Sequence, residues 1–306
     1  MKPKVLLCLL VAIITLASNS SVYPVDAADG DGIANFQAAV DEIPITTDYY
    51  NLNENEYGAL RQLVKLAFIA NCRNITAPFA CPAECSDFSG MQLEKKWLTE
   101  KFDSRGFIGR DSKEKIIVVS WGGTNTLRNL IQDIKAFPVD YPHSKGAKVH
   151  YGFFETYNDA RDIVMNTITT LIQEHPDHSV LVLGHSLGGA LATYNVIDLR
   201  KQFPNLNLRL NTFGEPRAGD QNFVKFYESL GIKTKRIVEN TDPVPQATKT
   251  KDGWRHFGVE IWHNGQKTVQ CLQDEDPKCS NSVTKFDLED HVNYLGVKMI
   301  CDMFHS

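Results

Sequence analysis

Gly184-His185-Ser186-Leu187-Gly188 sets a serine between two glycines, directly after the apolar run Val180 to Leu183 and directly before apolar residues at helical spacing (Leu187, Leu191, Val196, Leu199). A serine on a sharp strand-to-helix turn is placed to act as a nucleophile. Flanking glycines leave room for a strained turn that a Cβ would obstruct. The helix beginning at the turn aims backbone N–H groups at negative charge developing nearby. Chance alone yields such a pentapeptide only about 0.06 times in a chain of this length and composition.

A serine hydroxyl needs a histidine base, and the histidine needs a carboxylate to fix its tautomer. On a turn of this kind the chain order is serine, acid, histidine. That order leaves His256, His263, His291 and His305 as bases. His305 is next to last, His263 abuts a hairpin turn, and His256 sits at a strand start. His291 lies between a loop and the expected C-terminal helix, a placement that favours it over His256. For the acid, Asp242 follows the end of the strand Lys233–Val238, where site residues of a parallel sheet collect. Glu239 and Glu215 are its rivals, and a turn-capping aspartate before Pro243 is the ordinary alternative. An oxyanion needs two donors. One is the Leu187 N–H; the other is expected from Ser120-Trp-Gly-Gly-Thr124, whose glycines let backbone approach a substrate. Residues 125–135 then put Leu127, Leu130, Ile131 and Ile134 on one helical face, either a surface helix or a lid that turns its apolar side to lipid.

These groups must be held by a scaffold, and the chain has the material for one. It has 306 residues, 42% of them hydrophobic, and a net charge of −5 with no basic run. That balance argues against nucleic acid as a partner. Lys2 and Lys4 precede an apolar run from Val5 to Leu16, the layout of a secretory signal spanning 1–17, with cleavage as late as residue 28. The run is too short for a comfortable transmembrane anchor. Residues 18–45 are small, polar and acidic without a sustained apolar period, and are expected to form a leader, short propeptide or mobile arm; the body, 46–306, begins near Thr46. Six cysteines follow the signal, which in a secreted chain suggests three disulfides. Short loops favour Cys81–Cys85 and Cys271–Cys279, leaving Cys72 for Cys301. No metal site is expected, because paired C-x2-C spacing and a nearby completing histidine are lacking. Asn74-Ile75-Thr76 is a glycosylation sequon in such a compartment.

Helices are expected over 56–71, 156–175, 220–230 and 289–303. Strands are expected over 96–102, 106–111, 115–121, 180–183, 207–213 and 233–238, with a hairpin about Asn264-Gly265. Strands alternating with helices imply a mostly parallel sheet in one domain.

Several motifs in one order resemble the secreted fungal triacylglycerol lipases of the class 3 lipase family, from about Tyr49 to Cys301. They are Gly123-Thr124 followed by Arg128-Asn129, His150-Tyr-Gly-Phe153, Gly184 to Gly189, Thr212-Phe-Gly-Glu-Pro-Arg-Ala-Gly219, Glu239 to Asp242 before Val-Pro, and Asp290-His291. The resemblance implies an α/β-hydrolase fold, a mostly parallel sheet flanked by helices with a short amphipathic lid. It implies Ser186, Asp242 and His291 as a triad, Thr124 and Leu187 as the oxyanion hole, and supports Cys72–Cys301. A secreted, monomeric enzyme follows, cleaving acylglycerols at a lipid–water interface without a cofactor. Feruloyl-type or soluble carboxylesterase activity, phospholipase A1 activity and a non-catalytic binder of the same fold are the alternatives. The family usually carries Arg where this chain has Gly122, and well-known members carry Trp where it has Leu130.

Overall fold

The computed structural model describes residues 32–44, 48–82, 84–123 and 137–301. The signal, most of the leader, Thr46, Thr124, the lid residues Leu127, Leu130, Ile131 and Ile134, and His305 lie outside them. Five helices are described: α1 (Ile33–Glu42), α2 (Glu54–Ile69), α3 (Tyr151–Glu174), α4 (Leu187–Gln202) and α5 (Gln221–Ser229). The strands are β1 (Tyr50–Asn51), β2 (Gln92–Leu98), β3 (Arg105–Asp111), β4 (Ile116–Trp121), β5 (Pro138–Asp140), β6 (Lys148–His150), β7 (Ser179–His185), β8 (Leu208–Phe213), β9 (Gly219–Asp220), β10 (Lys233–Glu239), β11 (Trp254–Arg255), β12 (Val259–His263), β13 (Thr268–Gln270), β14 (Asn293–Tyr294) and β15 (Val297–Lys298).

Nine strands form the main sheet in the order β1-β13-β12-β10-β8-β7-β4-β3-β2. From β4 to β12 the neighbours are parallel, while β2, β3, β13 and β1 extend the two edges antiparallel. The continuous apolar runs follow from burial on both faces. Ile116, Val118, Leu181 and Leu183 pack with α1, α2 and the C-terminal segment. Ile117, Val119, Val180 and Val182, the alternate residues, pack with α3, α4 and α5. Helix α4 is buried from Leu187 to Leu199, consistent with a helix apolar around much of its circumference. Because the central strands are parallel, their C-terminal ends gather on one edge, where α/β sheets place their sites.

Three expectations need correction. Residues 33–42, read as part of a leader without an apolar period, form α1, which buries Ile33, Gln37 and Val40 on one side. The stripe is short, and Gln37 interrupts it. Gln37 is buried because its Oε1 accepts from Asn211 Nδ2 at 2.6 Å and its Nε2 donates to Asp41 at 2.9 Å. The C-terminal helix expected over 289–303 is instead a single 3-10 turn, Glu289–Val292, followed by the hairpin β14–β15. Leu295 (φ 52°) and Gly296 (φ 72°) turn the chain back after Tyr294, a left-handed pair that a right-handed helix does not accommodate. The hairpin at Asn264 also closes one residue later than its Asn-Gly pair suggests. Asn264 N–H donates to Lys267 O, leaving Gly265-Gln266 as the loop, and Asn264 Oδ1 accepts from the N–H groups of both Gln266 and Lys267.

All three disulfides pair as expected: Cys72–Cys301, Cys81–Cys85 and Cys271–Cys279. The first spans 229 residues and ties the end of α2 to the segment after β15. Replacing both Cys72 and Cys301 with Ser should lower the unfolding free energy by about 2–5 kcal/mol. Urea unfolding of the double variant under oxidising conditions measures this, and an unchanged midpoint would contradict it.

Candidate active site

Ser186 stands between β7 and α4 at φ 58°, ψ −131°, the strained turn its flanking glycines foreshadow. The closeness is extreme. A Cβ on Gly184 would lie 2.1 Å from Gly188 O, and one on Gly188 would lie 2.1 Å from Trp121 O. The Ser186 N–H donates to Phe213 O at 2.9 Å, pinning the turn to β8. Leu187 opens the helix, so its N–H belongs to the first turn, whose donors have no intrahelical acceptor.

Of the three candidate bases among the described residues, His291 is the one that meets Asp242. Its Nδ1 lies 2.9 and 2.8 Å from the two carboxylate oxygens. His291 is 0% exposed, Asp242 3% and Ser186 2%, so this chemistry is shielded from bulk water. Ser186 Oγ and His291 Nε2 are both buried without a hydrogen-bond partner among the described residues. With Nδ1–H donating to the carboxylate, Nε2 keeps its lone pair. Asp242 is held besides by the Val244 N–H (2.8 Å to Oδ1) and the Tyr294 hydroxyl, which donates to Oδ2. Burial, then the Asp242 charge, raises the Tyr294 pKa well above the ordinary phenol value, so the hydroxyl remains a donor.

The rivals are engaged elsewhere. His263 Nδ1 pairs with Glu239 at 2.6 Å, and the other Glu239 oxygen accepts from Leu295 N–H. His256 Nε2–H donates to Pro245 O at 2.9 Å, while burial followed by the charges of Arg236 and Arg217 lowers its pKa well below the ordinary value. Glu215 lies beneath α4, accepting from Thr193 Oγ1 and Thr212 Oγ1 at 2.7 Å each. Burial pushes its carboxyl from 4.5 up to about 7.

The sequence passes over two supports. His185, inside the pentapeptide but before the serine, donates from Nε2–H to His291 O at 2.8 Å, with the two rings 4.4 Å apart. Burial first, then neighbouring His291, lowers the His185 pKa well below the ordinary value, keeping it neutral. Asn71, just beyond α2, accepts from the Gly123 N–H through Oδ1 at 2.8 Å, which fixes the residue before Thr124. Neither has a sequence signal: one is hidden in a motif, the other is an isolated helix-end asparagine. The glycine at 122 also finds its reason here. A Cβ there would lie 2.7 Å from Arg105 Cγ and 2.8 Å from Ala70 O, so buried Arg105 from β3 fills the space beside the end of β4.

Glu260, Cys271 and Cys279 bring potential metal-ligating atoms together. The two sulfurs are bonded to each other, and Glu260 accepts from Arg236 Nη2 and Ser280 N–H. The cluster is a structural crosslink. Asn74 is exposed, as a glycosylation acceptor must be.

Residues 118–251 match the family described as Lipase (class 3). The chain is similar to a lipase of Rhizomucor miehei, 34% identical over 296 residues that cover 92% of this chain and 77% of that protein. It is 38% identical over 202 residues to a lipase of Rhizopus niveus, covering 64% of this chain and only about half (52%) of that protein. Among solved structures it resembles the Rhizomucor miehei lipase propeptide complex, with a TM-score of 0.78, 32% identity and coverage of 85% of this chain and 87% of that one.

The position of Glu215 carries a pH consequence. Below about 4.5 the carboxyl is protonated in folded and unfolded chains alike; between about 4.5 and 7 the folded chain holds a proton that the unfolded chain releases. Stability therefore falls as pH rises through that window. Glu215→Gln should remove this component, changing the wild-type-minus-variant stability by about 1–3 kcal/mol between pH 4.5 and 8. Denaturant melts at the two pH values measure it; a difference independent of pH would refute an ionising Glu215.

Proposed function

Since the chain belongs to the class 3 lipase family, we propose that it is a triacylglycerol lipase in which Ser186, His291 and Asp242 form the catalytic triad. Its fold is the α/β-hydrolase fold, and its chemistry is the hydrolysis of carboxylic esters. The observation that carries the triad is the buried Asp242–His291 pair with a free Nε2, on the same sheet edge as an unpartnered Ser186 hydroxyl. A solved triacylglycerol lipase described as having a serine-protease triad for its catalytic centre lends support, at 31% identity and a TM-score of 0.75, covering 82% of this chain and 98% of that one.

In this mechanism Ser186 Oγ attacks the ester carbonyl carbon as His291 Nε2 takes its proton. Asp242 stabilises the resulting imidazolium through the Nδ1–H. The tetrahedral oxyanion is held by the Leu187 N–H and by Thr124, the residue after the Gly123 that Asn71 holds. Collapse expels the glyceride alcohol, protonated by His291, and leaves an acyl-serine. Water then attacks that ester with His291 again as base, returning Ser186 and releasing the fatty acid. Residues 125–135 act as a lid whose Leu127, Leu130, Ile131 and Ile134 face lipid. The chain is secreted as a monomer: residues 1–17 form the signal, 18–45 the leader whose α1 docks on the body, and Asn74 carries a glycan. Three disulfides support an oxidising compartment.

Ser186→Ala should lower kcat by on the order of 10⁴–10⁶-fold, measured on purified protein with a dissolved short-chain ester; near-normal turnover would sink the assignment. Emulsified long-chain triglyceride should be cleaved faster once its solubility limit is passed. No gain at the interface, with preference for the dissolved ester, would instead make the protein a soluble carboxylesterase.

A further inference from the structure

Asp290 directly precedes His291, yet its carboxylate is bonded to the turn that carries Asp242. One oxygen, Oδ2, accepts three hydrogen bonds: from Asn240 Nδ2 at 3.0 Å, Thr241 N–H at 3.0 Å and Thr241 Oγ1 at 2.6 Å. Asn240 and Thr241 are the two residues before Asp242, so the donors belong to the acid's turn and none to the triad itself. The turn needs holding. Asn240 has φ 32°, a positive value that a non-glycine residue sustains only when its surroundings impose it. Its remaining polar groups are taken by other elements: Asn240 N–H donates to His263 O, Trp262 Nε1–H donates to Asn240 O, and Asp287 N–H donates to Thr241 O.

Consecutive Cα atoms are about 3.8 Å apart. The carboxylate that gathers the acid's turn is thus joined covalently, one residue away, to the base. We infer that Asp290 is a positioning residue, holding the Asn240–Asp242 turn in register with His291 independently of the Asp242–His291 hydrogen bond. The inference rests on the Ser186–His291–Asp242 reading above. His291 itself is braced from the opposite side, where His185 Nε2 bonds its main-chain oxygen. A loss at Asp290 therefore releases the acid from the base rather than the base from the sheet. None of the Asp290 bonds reaches Ser186 or the Gly122–Gly123 turn, so substrate binding is outside its reach and proton transfer is within it.

The test uses the full mature chain and p-nitrophenyl butyrate below its solubility limit, with kcat, KM and thermal midpoint measured for each variant. Asp290→Ala should lower kcat by about 10–100-fold, the scale on which small misplacements of catalytic groups act, with KM within about twofold of the parent. Asp290→Asn, which keeps a carbonyl acceptor at the same reach, should recover kcat to within about fivefold of the parent, a rescue expected of an acceptor role. Asn240→Gly with Thr241→Val removes both side-chain donors, leaves Asp290 in place and tolerates the positive φ; it should lower kcat in the same direction, and it decides the matter where Asp290→Ala does not fold. Unchanged kcat in the variants that fold, an effect on KM alone, or an Asn variant as slow as the Ala variant would each overturn the role. Ser186→Ala in the same assay separates the two readings. If it is inactive while Asp290→Ala is normal, the positioning role alone fails; if it is active, the triad reading fails and takes the positioning role with it.

Discussion

A serine held at φ 58° between a strand and a helix carries about 1–3 kcal/mol of backbone strain, and much of the architecture serves to hold it there. The strand before it is flanked by β4 and β8 in a parallel sheet, so its residues face packed helices on both sides. The helix after it is buried for most of its length, which lets Gly188 lie against the Trp121 carbonyl and Gly184 against the Gly188 carbonyl. These contacts leave no room for side chains at the two glycines. The turn is kept by the sheet and the helix together, and a hydroxyl results that is buried without a partner among the described residues.

The same edge of the sheet concentrates acidic groups, Asp242, Glu239 and Glu215 buried and Asp290 half-buried, and burying a charge is tolerated only with partners. Each carboxylate has a separate set. Asp242 takes His291, Tyr294 and the Val244 N–H; Glu239 takes His263 and the Leu295 N–H; Glu215 takes two threonine hydroxyls; Asp290 takes the acid's turn. The pairs interlock, since Leu295 follows Tyr294 and Glu239 lies three residues before Asp242. This allotment explains how several histidines and acids can crowd one edge while each carboxylate keeps its own partners. His185 completes the arrangement as a neutral group that holds the His291 main chain.

Much of this was legible because its causes are local. An apolar run ending in Gly-His-Ser-Leu-Gly encodes strand, turn and helix with contacts a few residues apart. The strand Ile116–Trp121 declared itself by its β-branched apolar run, and the short-loop cysteines by proximity. Where causes are distant, the pattern misled. Helix α1 buries Gln37 only because Asn211, far along the chain, supplies its partner. The last segment turns back at Leu295–Gly296 and is clasped by Cys72 and Glu239, none of which its own apolar spacing reveals.

The sequence by itself determined the candidate nucleophile, the expected order of its partners and the family resemblance, because motif residues and their spacing persist in the linear chain. Position and resemblance already favoured Asp242 over Glu239 and Glu215, and His291 over His256 and His263; the tertiary structure added which side chains meet, since the His263–Glu239 and His291–Asp242 pairs join residues 24 and 49 positions apart. The reason for Gly122 is likewise three-dimensional. Nothing near it in sequence forbids a side chain; Arg105, arriving from the neighbouring strand, occupies the space.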